Sequence, residues 1–146
     1  MAILDEALVY LVANTTVFRA PTSTGSKVPV YLNFMPPEVP NVAVSLYEPG
    51  GAPPLAGLAA DVPVVERPRL QVLSRAPYYE TARDNCQVVW DAFFKIKNLD
   101  VAKASGSTQN TMWLTAEPIN SPTDMGRDEL ERDIVTADFQ ITKEMS

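Results

Sequence analysis

Eleven of the thirteen prolines in this chain lie between Pro21 and Pro77. Proline lacks an amide hydrogen and fixes φ, so it breaks helices and is tolerated in sheets only at edges, strand starts and bulges. Long helices must therefore lie on either side of that stretch, and only short strands fit within it. Ile3, Leu4, Ala7, Leu8, Leu11 and Val12 recur at helical spacing, which predicts a helix over 2–13. Asp5 and Glu6 fall in its first turn, where the helix dipole favours negative charge. Beyond the prolines, Tyr78, Tyr79, Ala82, Cys86, Val89, Trp90 and Phe93 form a second, larger stripe. It predicts a helix over 77–97, with Pro77 in its first turn, Glu80 paired to Arg83 outside, and Asn98 ending it.

Strands are expected at 28–34, with Val28, Val30, Leu32 and Phe34 on one face and an edge position because of Pro29, and at 41–47. The stiff linker Met35–Pro40 suits an antiparallel pair. Residues 48–67, with Gly50, Gly51, Pro53, Pro54 and Leu55, read as one long connection. Pro68 then opens a strand with Arg69, Gln71 and Leu73 facing one way and Leu70, Val72 and Ser74 the other. A hairpin follows (99–104 and 112–117, with a polar tip containing Gly106 and Gln109), then a turn-rich 118–131, then a strand over 132–142. The order predicts a single α+β domain spanning 1–146. Its sheet is antiparallel-rich, with a mixed sheet left open, and two main helices cover one face beside a long Pro/Gly-rich loop.

A chain of 146 residues buries about 68–70% of its unfolded surface, so it needs no metal or disulfide to fold. It has no histidine and one cysteine. Histidine-based triads, histidine-ligated metals, all-cysteine zinc sites and iron–sulfur clusters are therefore excluded, and no catalytic residue, metal ligand or cofactor site is assigned. No glycine pattern makes a dinucleotide or phosphate loop. Cys86 sits on an apolar stripe and reads as a buried thiol. Trp113 is open to a core or an interface role. Asp124, Asp128, Glu129, Glu131 and Asp133 lack the spacing of a calcium loop, and Arg127 and Arg132 are at hand to pair with them. The net charge of −6 opposes a nucleic-acid footprint, and no stretch has the apolar length of a membrane span. The opening residues lack a signal peptide's positive region, so the chain is expected to be made and used in a cytoplasm, or released from one by lysis.

Several segments, read in order, carry a resemblance: Asn33–Pro40, Tyr47–Pro54, Arg69–Ala76, the helix from Tyr78 through Ala82, and Met125–Arg132 ahead of the final strand. Together, from about Val28 to Ile141, the chain resembles the tail terminator proteins of long-tailed bacteriophages, often labelled minor capsid proteins. The resemblance implies a virion protein assembled in the host cytoplasm, a sheet with helices on one side, and a homo-oligomeric ring, usually a hexamer, at the head-proximal end of the tail tube. Such a ring stops tube growth and joins the head, so the implied partners are tube protein and head–tail connector proteins, with DNA passing through the lumen without specific binding. A closing ring needs a head-to-tail interface. The expected pairing sets Arg67, Arg69 and Arg75 of one subunit, with Arg127 nearby, against Asp124, Asp128, Glu129 and Glu131 of the next. Gly50, Gly51, Pro53, Pro54, Leu55, Gly106 and Gln109 are expected to face partners. Three other readings stay open: another neck or head–tail completion protein, a small-ligand-binding or enzymatic α+β domain, and a plain oligomeric scaffold.

Overall fold

The computed structural model describes residues 2–56, 63–102 and 110–144. Helix α1 spans Ala2–Asn14 and buries Ile3, Leu4, Ala7 and Leu11, as their spacing requires. It ends where Thr15 Oγ1 donates to the Leu11 carbonyl at 2.7 Å and Asn14 Nδ2 to the Tyr10 carbonyl at 2.9 Å. Helix α2 spans Tyr79–Phe94 and buries Ala82, Cys86, Val89 and Phe93. Pro77 is not in its first turn: Tyr78 is extended (φ −118°, ψ 137°) and forms the boundary. Lys95, rather than Asn98, caps the far end. Arg83 reaches the Pro122 carbonyl at 3.3 Å in place of the expected pairing with Glu80.

Ten strands form one sheet among the described residues: β1 (Phe18–Arg19), β2 (Val28–Leu32), β3 (Ala43–Tyr47), β4 (Ala52–Ala56), β5 (Pro63–Arg67), β6 (Arg69–Ala76), β7 (Lys97–Ala102), β8 (Asn110–Pro118), β9 (Thr123–Arg127) and β10 (Asp133–Glu144). The twelve-residue β10 is central. It pairs antiparallel with β6 and then β5 along one side, and with β9 and then β8 along the other. Outward from β6 come β3, β2 and β1, and outward from β8 comes β7.

The fold is α+β with a mixed sheet. The strands β2 and β3 run parallel, with Val30 facing Val44, so the linker between them makes a return crossing rather than an antiparallel turn. Asn33 takes φ 65° just past β2 and turns the chain, which leaves Phe34 off the inward face and 55% exposed. Because β1 pairs outside it, β2 is not the outermost strand. The 48–67 segment is not one loop but contains the antiparallel pair β4 and β5. Pro53 and Pro54 are tolerated because β4 has a strand partner on one side only. The strand β9 was not expected from its sequence.

Alternation along β6 and β10 sets the two faces. Leu70, Val72, Val135, Ala137, Phe139 and Ile141 point under the helices and are fully buried. Phe93 of α2 sits at the centre of this core. Its ring lies 6.1 Å from Trp113, 5.4 Å from Phe139 and 5.8 Å from Tyr10. Trp113 is therefore a core residue. On the other face no described helix packs, and Tyr31, Tyr47, Gln71 and Leu73 are half-buried.

Candidate assembly surface

Two arginines fasten the Pro36–Pro40 linker over one end of the helix-free face. Arg75, on β6, donates from one terminal nitrogen to the Pro36 carbonyl and from the other to the Pro40 carbonyl at 2.6 Å. Arg132, just before β10, donates to the carbonyls of Glu38 and Pro37 at 2.5 Å each. Its Nε meets Asp128 Oδ2 at 2.8 Å. Both arginines are 3% exposed. Burial, and then the neighbouring positive charge of Arg132, hold the Arg75 pKa below its ordinary value. Burial pushes the Asp128 carboxyl up. That effect is outweighed by the backbone N–H and guanidinium of Arg132, the Leu130 N–H and the Arg132 charge, so the net shift is downward.

These contacts revise the expected pairing. Arg75 is not a partner-facing residue, because it is buried and committed to its own chain. Arg69 binds Asp138 at 2.6 Å, with its side chain 39% exposed. Arg67 ends β5, and its carbonyl accepts from Gln140 Nε2 at 2.7 Å. Asp128 is engaged by Arg132, and Arg127 lies 3.5 Å from Asp133. Asp124, Glu129 and Glu131 are exposed, and Asp124 Oδ1 accepts from the Gly126 N–H at 2.9 Å. The arginine and acid groups do not occupy opposite edges: β10 alone separates β6 from β9.

Among the expected partner-facing residues, Gly50 is exposed. Gly51 has a structural duty: a Cβ there would fall on the Arg67 carbonyl oxygen and lie 2.8 Å from Arg69 N. Pro53, Pro54 and Leu55 belong to β4 rather than to a loop. Gly106 and Gln109 lie outside the described residues.

The linker and the 128–132 turn enclose an open pocket of about 430 Å³, walled by Met35, Leu73, Leu130 and Ile134. Its buried cations are bound to the linker and to Asp128. A wider groove of about 740 Å³ runs between the end of α1 and α2, past Tyr10, Thr15, Asp91 and Lys95. No cluster of potential metal ligands occurs among the described residues, and none of their helices is long and apolar enough to cross a membrane.

Sequence reasoning missed one charged group. Lys143 Nζ lies 2.9 and 2.8 Å from the two Glu6 oxygens and 3.4 Å from Glu66, and Trp113 Nε1 donates to Glu6 at 2.8 Å. Glu6 and Lys143 are both buried. The signal was present: Glu6 falls among Ile3, Ala7 and Tyr10 on the α1 stripe, and Lys143 continues the inward alternation of β10. Two opposite charges on two inward-facing patterns ask to be paired.

No protein-family model matches the chain, and no curated protein matches it.

Proposed function

We propose that this chain is the tail terminator subunit of a long-tailed bacteriophage, closing into a ring on the head-proximal end of the tail tube within the virion. The observation that carries the reading is the meeting of the segments on which the resemblance rests. Asn33–Pro40, Arg69–Ala76 and Met125–Arg132 are far apart in sequence, yet Arg75 and Arg132 tie them into one structure. Tyr47–Pro54 joins them through Gly51, whose bare Cα lets it lie against the Arg67–Arg69 backbone. These four segments thus form one connected framework.

Such a framework suits a ring wall. The sheet is anchored on a strand paired along both sides, and the helices are confined to one face. That leaves strand edges and the second face for tube protein, connector proteins and neighbouring subunits. The ring works by covering the growing end of the tube, so that no further tube subunit can add, and by offering the head a new surface. The negative net charge lets DNA pass through the lumen without adhering.

Electron microscopy of particles assembled without this protein tests the reading. Overlong tails are the expected result. Tails of normal length that lack heads would instead identify a joining protein and overturn it.

A further inference from the structure

We infer that the subunit associates head-to-tail with a second copy of itself, the β9 edge of one sheet meeting the β1 edge of the next. This inference rests on the ring reading above and names the surfaces that would close it. Strand register places the two edges at one level. Asp124 of β9 faces Val135 of β10, which faces Ser74 of β6, which faces Val44 of β3, which faces Val30 of β2. Arg19 of β1 faces Pro29, the neighbour of Val30. One row of the sheet therefore runs from Asp124 at one margin to Arg19 at the other.

The two margins carry opposite charge. From Ala7 to Pro37 the chain has two basic residues, Arg19 and Lys27, and no acidic one. Lys27 is exposed beside the start of β2. At the other margin, residues 124–133 hold five carboxylates and two arginines, with Arg132 bound to Asp128 and Arg127 lying 3.5 Å from Asp133. Asp124, Glu129 and Glu131 are exposed there.

Six strands at about 4.8 Å spacing put these margins about 24 Å apart along the sheet, beyond the Debye length of about 8 Å. Within one chain the opposite charges do not neutralise one another. A translated and rotated copy brings them together at every contact. The contact is heterologous, because opposite margins of one sheet cannot both lie on a two-fold axis, and a heterologous contact builds a ring when its rotation closes. Met125, 64% exposed on β9, supplies an apolar centre between the acidic groups.

The test uses the full chain and native mass measurement. The wild type is expected to show a multi-subunit mass, about 96 kDa for six copies of the 16.0 kDa chain, that falls as salt is raised. Asp124→Lys/Glu129→Lys/Glu131→Lys, and separately Arg19→Glu/Lys27→Glu, should each run as monomers. Mixed in equal amounts they should reassemble, because a chain with two basic margins complements one with two acidic margins. Arg19 also donates to the Lys27 and Ser23 carbonyls, so Lys27→Glu alone serves as a variant that spares that turn, and it should weaken assembly on its own. Circular dichroism confirms that each variant is folded. A wild type that is monomeric, a reversed margin that leaves the assembly mass unchanged, or folded variants that fail to reassemble on mixing would each overturn the inference. Tail length reports separately. A chain that limits tails while its margin-reversed forms still assemble defeats only this interface, and a charge-paired ring that leaves tails overlong defeats only the terminator reading.

Discussion

Among single residues, the buried groups set the sharpest expectations. Burial pushes the Cys86 thiol up to about 12, and it sits fully enclosed on α2. A thiol reagent at pH 8 should leave the native protein unmodified and label it stoichiometrically in denaturant, because the thiolate is the reactive form. The Glu6–Lys143 pair makes a second case. Glu6→Ala leaves the buried Lys143 ammonium with only the longer contact to Glu66 and strands the Trp113 N–H inside the core. It should cost about 3–5 kcal/mol in urea melts, the usual penalty for removing one partner of a buried pair. Glu6→Leu with Lys143→Met removes both charges and should recover most of that loss. Glu6 was read as an acid of the first helical turn, favoured there by the dipole, and Lys143 falls just past the strand expected over 132–142. Only the packing of α1 over β8 and β10 shows that their positions on the inward patterns outweigh their charge.

Secondary-structure elements were legible where a period ran long enough. Both helices and the alternation of β6 and β10 follow from apolar spacing, and the pairing of β7 with β8 from the polar run between them. The failures share a cause: β4 and β5 contain prolines, and β9, with its sequence Thr-Asp-Met-Gly-Arg, has no alternation at all. These strands take their form from neighbouring backbones rather than from their own side chains, so no local pattern announces them. The parallel course of β2 and β3 likewise depends on Arg75 and Arg132 holding the linker, contacts that span up to 95 residues. That fastening can be probed directly. Arg132→Lys keeps the charge but loses the planar fork that reaches Pro37, Glu38 and Asp128 at once. A loss of about 1.5–3 kcal/mol is expected, with faster amide exchange over residues 33–41. Asp128 is held below its unfolded pKa of about 3.9, so its ionised form stabilises the fold above that pH, and the contribution disappears as pH falls through the lower folded value. Asp128→Asn should therefore flatten the decline in melting temperature below about pH 4. At the start of the β4–β5 hairpin, Gly51→Ala forces a methyl into the Arg67–Arg69 backbone and should lower the melting temperature, while Gly50→Ala, with open space around it, should be neutral.

At the scale of the whole molecule, the sequence supported the domain class and the placement of both helices on one face, but not where the charged groups would stand. Arg69, Arg75 and the acidic residues looked separable because they are distant along the chain. The central β10 brings their strands within two positions of each other, and the oppositely charged margins prove to be β1 and β9 instead. Oligomer mass as a function of salt is the measurement that reads this arrangement. The position of β10 also has a temporal consequence. On a ribosome, α1 through β9 emerge before the strand that unites β6 and β5 with β8 and β9. Until residues 133–144 are out, the described strands can pair only as β1–β2–β3–β6, β4–β5 and β7–β8, with β9 left without a partner strand, and long-range pairing of the kind β10 supplies is slow and prone to mispairing. The sheet should thus close only once residues 133–144 have left the exit tunnel. A stalled chain ending before Asp133 should remain protease-sensitive, whereas one extended far enough to expose Glu144 outside the exit tunnel should become resistant in a single step.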